Sequence, residues 1–119
     1  MLLLAADAAA IEGRWTNPSG SVTVAIAPCG GFWCGTVVAA SDKAKADAAK
    51  GGTPTLVGTR LMTDFTAAGD GQWRGRLFVP DLNFRARASL TLEGPATLKV
   101  RGCSVRGLLC KSQRWTRTN

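Results

Sequence analysis

Four cysteines are the residues of this chain whose chemistry is most restricted by their spacing. They form two close pairs, in the segments CGGFWCG (29–35) and CSVRGLLC (103–110). Structural zinc sites and thioredoxin-like redox sites typically use C-x-x-C, and neither pair has that form. The spacings C-x4-C and C-x6-C instead favour two local disulfides, Cys29–Cys34 and Cys103–Cys110. The other two connectivities of four cysteines remain open at this stage.

Two such disulfides would act as structural staples and would place the protein outside the cytoplasm. Each closes a short loop, which corresponds to about 2 kcal/mol of stabilisation. Because disulfides persist in oxidising compartments, we expect a periplasmic or secreted protein. The first ten residues, MLLLAADAAA, resemble the end of a signal peptide but lack a basic n-region, so a truncated signal and an ordinary apolar tail both remain open. We expect residues 11–119 to form a single domain without a transmembrane span.

The residue types available for catalysis are few. The chain contains no histidine and no tyrosine, which removes the commonest proton shuttle and the commonest transition-metal ligand. Asp64, Asp81 and Glu93 fall mainly at predicted strand ends or turns. We therefore expect no metal, no cofactor and no enzymatic activity. An enzyme with carboxylate chemistry remains the alternative, and two carboxylates facing each other inside the fold would favour it.

Basic residues are concentrated in the second half of the sequence. Ten basic and two acidic residues lie from Arg74 onward, against five and six before it. Six of the ten form pairs at alternate positions: Arg74 and Arg76, Arg85 and Arg87, Lys99 and Arg101. Period-two geometry places each pair on one face of a strand. The six are a candidate surface for anionic envelope lipid or lipopolysaccharide, with a solvated exterior as the alternative. Nucleic acid is disfavoured because Trp73 and Phe84 alternate to the opposite face.

The elements that position these residues are short β-strands. From Ile11 onward, segments rich in Val, Leu, Trp, Phe and Thr are separated by Gly, Pro, Asn or Asp. The predicted strands are residues 12–16, 22–27, 34–40, 56–65, 72–79, 84–92, 97–103 and 110–117. Tight connections favour an all-β, eight-stranded antiparallel up-and-down barrel, with a sandwich as the alternative. Residues 41–51 predict one short helical segment, with Ser41 as N-cap, no strong apolar face and the position of an exposed lid.

The interior of such a barrel is the candidate ligand site. Its predicted ligand-binding residues, in the interior or at a mouth, are Phe32, Trp33, Trp73, Leu77, Phe84 and Leu90. Phe32 and Trp33 lie between Cys29 and Cys34, which predicts a rigid hairpin tip that covers one mouth, either as simple packing or as a gate to a cavity. Several inward positions, such as Gly75 and Ala88, are small, and small residues either leave a cavity or let the walls approach.

The order of motifs along the chain resembles a known family. The motifs are G-x-W (13–15), S-V-x-V-x-I (21–26), W-C-G (33–35), L-x-G (56–58), W-x-G (73–75), L-x-V-x-G-C (98–103) and C-x4-W-x-R (110–117). This succession, which covers nearly everything after Ala10, resembles the bacterial family called domain of unknown function 2147, small exported proteins regarded as lipocalin-like, or calycin-like. The family has no settled biochemical activity, so the resemblance implies fold and compartment only.

The resemblance also implies structural roles. Gly13, Trp15, Trp115 and Arg117 match family motifs, and Trp15 is expected to pack across the closed end of the barrel with Arg117 or Arg114 stacked on it. The chain departs from the family at the helical segment and at Phe78 and Phe84, where relatives tend to have tyrosine. The resulting expectation is an exported module that binds a small apolar or amphipathic ligand or associates with anionic envelope material. A structural or protein-interaction barrel with a filled interior is a further alternative.

Overall fold

The chain folds into a closed barrel of eight antiparallel strands, in a computed structural model that describes residues 9–104 and 109–118. Each strand pairs with the next along the chain, and the first pairs with the last. The elements are β1 (Gly13–Thr16), β2 (Val22–Cys29), β3 (Phe32–Ala40), α1 (Asp42–Lys50), β4 (Arg60–Gly69), β5 (Gln72–Val79), β6 (Phe84–Leu92), β7 (Thr97–Cys103) and β8 (Cys110–Thr118). The predicted barrel is confirmed, and most of the predicted N-terminal tail lies outside the described residues.

The strand predicted from residue 56 is the main correction. β4 begins at Arg60, and residues 56–59 form a turn in which the backbone N–H of Thr59 donates to Leu56 O at 3.0 Å. Inside β4, Asp64 has a φ of 59° and the register with β5 shifts beside it. This irregularity turns the strand so that large residues before and after it, Met62 and Phe65, are both buried. The strand therefore lacks the regular alternation on which the sequence prediction depends.

One end of the barrel, here called the closed end, contains the start of β1 and the β2–β3, β4–β5 and β6–β7 turns. Trp15 is fully buried there, and its indole Nε1 donates to Ile11 O at 2.9 Å. The Arg117 guanidinium lies 4.3 Å from the Trp15 ring centroid. It also donates to three backbone carbonyls, those of Ala10, Glu12 and Pro95, at 2.6, 2.8 and 2.9 Å. A single side chain therefore joins the N-terminal segment, the β6–β7 turn and β8.

Gly13 belongs to the same closed-end cluster. Its φ is 137°, and a Cβ built on it would lie 2.7 Å from Arg117 Nη1. A side chain at this position would both strain the backbone and displace the guanidinium. Arg114, the other candidate for stacking, instead forms an exposed ion pair with Glu93 at 2.7 Å.

The two disulfides lie at opposite ends of the barrel. Cys29 is bonded to Cys34 across the β2–β3 hairpin of the closed end. Cys103 is bonded to Cys110 where β7 and β8 approach the other end, here called the open end, which contains the β1–β2, β5–β6 and β7–β8 connections and α1. Both predicted pairs are therefore present. The turn predicted at residues 105–107 lies outside the described residues.

Helix α1 lies between β3 and β4 at the open end. The Ser41 hydroxyl accepts from Ala44 N at 3.1 Å, which confirms the predicted N-cap. The helix is less exposed than predicted, because Ala48 is fully buried and Ala44 packs against the core. Alanine suffices for this contact because the helix comes close to the barrel: a Cβ on Gly51 would overlap the backbone of Asp81. None of the helices in the described ranges is long and apolar enough to cross a membrane.

Candidate functional site

The open end contains a cavity of about 840 Å³. Much of its inner wall is apolar, and this part comprises Leu56, Leu61, Leu77, Ala86, Val100 and Trp115. These residues come from six consecutive parts of the fold, the turn before β4 and the five strands from β4 to β8. Ligand pockets in proteins have volumes of about 300–1,000 Å³ and mainly apolar walls. The cavity is therefore large enough for a single small organic molecule.

The small inward residues of β5, β6 and β7 explain where the space lies. Gly75 does not contribute empty volume, because a Cβ there would lie 2.7 Å from Phe65 Cγ and the Phe65 ring already covers it. Gly102 is closer to the mouth, where a Cβ would lie 3.4 Å from Leu77 Cδ2, and it lines the cavity together with Ala86. The interior is thus filled at the level of Phe65 and open toward the mouth.

The rim of the cavity carries exposed apolar side chains. Leu82, in the β5–β6 connection, is 68% exposed, and Leu109, immediately before β8, is 64% exposed. Phe84 at the start of β6 is also exposed and lines the cavity. Exposed side chains of this size around an apolar pocket are typical of an entrance that receives an apolar molecule or contacts an apolar surface.

Strand β8 contributes polar groups to the cavity wall. Lys111, Gln113 and Trp115 alternate along the strand, and all three line the cavity. Sequence analysis missed Lys111 and Gln113. The signal was present, however, because an inward Trp115 requires residues 113 and 111 to face inward as well.

The carboxylates at the mouth are close to a lysine of α1. The Lys43 ammonium donates a hydrogen bond to Asp47 Oδ2 at 2.7 Å. This bond, more than any other effect, raises the pKa of Lys43 and lowers the pKa of Asp47, and the charge of Asp81 raises the pKa of Lys43 further. A general acid at neutral pH needs a raised carboxyl pKa, which is the opposite shift. In the described part of the chain, no group of three or more His, Cys, Asp or Glu residues could hold a metal ion.

The six predicted ligand-binding residues do not lie together. Leu77 and Phe84 line the cavity, whereas Phe32, Trp33, Trp73 and Leu90 are not among its lining residues. Trp73 and Leu90 are opposite each other on β5 and β6 and fully buried. Phe32 and Trp33 belong to the closed end, so they do not border the mouth of this cavity. Strand alternation identifies inward residues but does not tell at which level of the barrel the space lies.

The six predicted cationic residues do share one exterior surface, here called the basic face (Arg74, Arg76, Arg85, Arg87, Lys99 and Arg101). Their strands β5, β6 and β7 are neighbours, and Arg76 is directly opposite Arg87. Arg85 stacks on Phe78 at 4.9 Å. Within the described ranges, none of the six has a carboxylate within 4.0 Å. Unscreened like charges on adjacent strands are unfavourable unless an anion balances them.

One comparison with known proteins identifies the family of this chain, and another identifies its fold. The model of a family described as "Uncharacterized protein conserved in bacteria (DUF2147)" matches residues 13–117. A search of curated proteins gave no match. Among solved structures, the barrel is similar to one described as "Protein HP1028 from the human pathogen Helicobacter pylori belongs to the lipocalin family". The TM-score is 0.69 and the identity 12%, and the match covers 92% of this chain and 83% of that one. At this identity the likeness establishes the lipocalin-like fold alone.

Proposed function

The chain belongs to the DUF2147 family, and from this premise and the geometry of the open end we propose that it binds a small apolar or amphipathic molecule inside its barrel. The observation that carries the proposal is the cavity of about 840 Å³ with its largely apolar wall. A barrel with a structural role alone has no need of such a space, since side chains can fill an eight-stranded barrel. The exposed Leu82 and Leu109 at the rim support entry of an apolar molecule at this end.

We propose a binding role rather than a catalytic one. Of the three carboxylates considered for chemistry, Glu93 pairs with Arg114 on the exterior, and Asp64 is exposed on β4. Asp81 lines the mouth, where the Asp47 carboxylate accepts a hydrogen bond from Lys43. The hydrogen bond from Lys43 lowers the pKa of Asp47, whereas a general acid needs a raised carboxyl pKa, and this supports binding over catalysis.

The binding proposal is tested by filling the cavity. Ala86→Phe places a ring in the cavity wall, and Ala27→Phe makes the same change at an exposed position of β2 as the control. Titration with the neutral fluorescent probe N-phenyl-1-naphthylamine should show affinity about tenfold or more weaker for Ala86→Phe, because the ring occupies volume that the probe requires. Ala27→Phe should bind the probe as the parent does. Equal affinity in all three proteins would exclude the cavity as the binding site.

A second candidate function is association with anionic envelope material through the basic face. The observation in its favour is that Arg76 and Arg87 are paired across neighbouring strands with no carboxylate within 4.0 Å in the described residues. Arg85 lies next to the exposed Phe84 at the rim. A membrane of anionic lipid, or lipopolysaccharide, would supply the missing negative charge and accept the apolar rim.

Vesicle sedimentation tests this second function. We expect the protein to bind vesicles of phosphatidylglycerol at low salt, to bind less as salt rises, and to ignore phosphatidylcholine vesicles. The double variant Arg76→Gln/Arg87→Gln should lose most of the binding. The control Arg14→Gln/Arg60→Gln removes the same charge from exposed positions outside the basic face and should retain it. If both double variants lost binding equally, net charge rather than this face would be responsible.

We also propose that the protein works in the periplasm or is secreted. The two disulfides support this location, since they persist only where the environment is oxidising. Protein isolated from its own cells without reductant should contain no thiol that reacts with a maleimide before denaturation and reduction. Four reactive thiols in that sample would contradict the location.

A further inference from the structure

Two hydrogen-bond donors on the inner face of β8 carry a further inference about the ligand. Lys111 and Gln113 are two residues apart, so their side chains leave the strand on the same side, and both line the cavity. Lys111 is opposite Gly102 on β7, and Gly102 is opposite Ala88 on β6. The Lys111 and Gln113 side chains are both exposed, so they lie toward the mouth of the barrel, where a molecule that enters the cavity would meet them.

The orientation of the Gln113 amide is fixed by Trp115. The indole Nε1 donates to Gln113 Oε1 at 3.0 Å, and an indole nitrogen is a donor only. The oxygen of the amide must therefore face Trp115, and the NH2 group is left for another partner. No acceptor in the described part of the chain bonds that NH2 group. Gln113 thus presents a donor, not an acceptor, at the cavity wall.

The carboxylates at the mouth interact with Lys43 rather than with Lys111. Lys43 is the other lysine of the cavity lining, and Asp47 already binds it, with Asp81 acting on the same ammonium. Within the described residues, no carboxylate lies within 4.0 Å of Lys111. The cavity therefore has an ion pair on its helix side and an uncompensated cation on β8.

We propose that the cavity takes a single-chain amphipathic anion, whose headgroup oxygens accept from Lys111 and Gln113 and whose apolar chain lies against Leu77, Ala86 and Val100. The inference rests on the proposed function, because it names the ligand class of that same cavity. Carboxylate and phosphate headgroups share the required chemistry, since both are acceptors that carry negative charge. An apolar chain with a neutral headgroup would leave the exposed Lys111 ammonium to water and would gain no charge-assisted hydrogen bond from it.

The test compares ligands that differ only in the headgroup. Dodecanoate, dodecyl phosphate and dodecanol are titrated into the full chain and followed by calorimetry. We expect at least one of the two anions to bind about tenfold more tightly than dodecanol, the size of one charge-assisted hydrogen bond. Lys111→Met, which keeps the stem and removes the charge, should abolish this preference and leave the affinity for dodecanol unchanged. Gln113→Leu should reduce the preference about threefold.

Lys45→Met is the matched control, since it removes the same charge from an exposed position of α1 that is not among the cavity's lining residues. It should preserve the preference for the anion. Equal binding of anions and dodecanol by the parent protein would overturn this inference while the proposed function stands. Preference that survives in Lys111→Met would also overturn it, because the headgroup would then be bound elsewhere. Failure of all three ligands to bind would overturn the proposed function and the inference with it.

Discussion

The two ends of this barrel use their large side chains in opposite ways. At the closed end, Trp15 is fully buried beneath Arg117, and both side chains satisfy backbone carbonyls. At the open end, Leu82 and Leu109 leave about two thirds of their surface in solvent beside an unfilled cavity. One end is packed as a core, and the other is left open. The difference teaches that the side chains expected to stabilise this barrel lie at one end, and those proposed to bind a ligand lie at the other.

The largest expected effect comes from the closed end. Trp15→Ala should lower the free energy of unfolding by about 3–5 kcal/mol, because it removes a fully buried indole and its hydrogen bond. Urea denaturation measures the loss. Trp33→Ala, which removes a partly buried indole from the same end, is the control and should cost clearly less. A cost for Trp15→Ala below about 1 kcal/mol would mean that the closed end is not the stable half.

A smaller loss is expected when the cation above Trp15 is removed. Arg117→Met should cost about 2–3 kcal/mol, because three backbone carbonyls lose a charged donor and the indole loses its cation. Arg114→Met is the control on the same strand. It breaks only the exposed pair with Glu93 and should cost less than about 1 kcal/mol. Equal losses of stability in urea denaturation would show that Arg117, with its stacking and three carbonyl contacts, stabilises the protein no more than the exposed Arg114 does.

The two disulfides distinguish the ends more directly. Replacing either pair by serine should cost about 2 kcal/mol, since both close short loops. Their effects on binding should differ, because Cys103 lines the cavity and Cys29 lies at the other end. We expect N-phenyl-1-naphthylamine to bind more weakly only when Cys103 and Cys110 are replaced. A loss of probe binding after replacement of Cys29 and Cys34 would contradict the separation of the two ends.

The sequence predicted the parts of this fold that depend on local pattern. β5, β6 and β7 have the predicted bounds because alternation is regular and tight turns delimit them. β4 does not, because residues 56–59 form a turn and the irregularity at Asp64 breaks the alternation within the strand. Trp15 and Arg117 were assigned through family motifs, and the structure places the guanidinium over the ring as expected.

The cavity could not be predicted in the same way. Whether Gly75 of β5 and Gly102 of β7 leave a space depends on which side chain from another strand packs against them. The local sequence pattern does not specify such a contact between strands. Phe65 covers Gly75, whereas Gly102 stays open to the mouth. Phe32 and Trp33 were predicted to cover a mouth because they lie between Cys29 and Cys34. The direction of their strand places them at the end away from the cavity. Lys111 was accessible from the sequence, by counting back from Trp115.

The smallest expected effect is a pH dependence confined to the open end. Hydrogen bonding to Lys43 lowers the pKa of Asp47 below its ordinary value of 3.8, so the stabilisation is complete above that value and is lost as the pH falls through the lower, folded-state pKa. The same bond raises the pKa of Lys43 above 10.5, so its contribution is complete below 10.5 and is lost as the pH rises through the folded-state pKa. Asp47→Asn should be slightly less stable than the parent between these limits, and the difference should shrink as the pH falls toward 2. Urea midpoints across pH 2 to 7 measure this difference, and 1 M salt should reduce it because both side chains are accessible to solvent.

Since α1 lies at the open end, nuclear magnetic resonance shifts of residues around Trp15 should not follow this titration. A difference between the two proteins that persisted unchanged at pH 2 would show that Asp47 acts through packing and not through its charge.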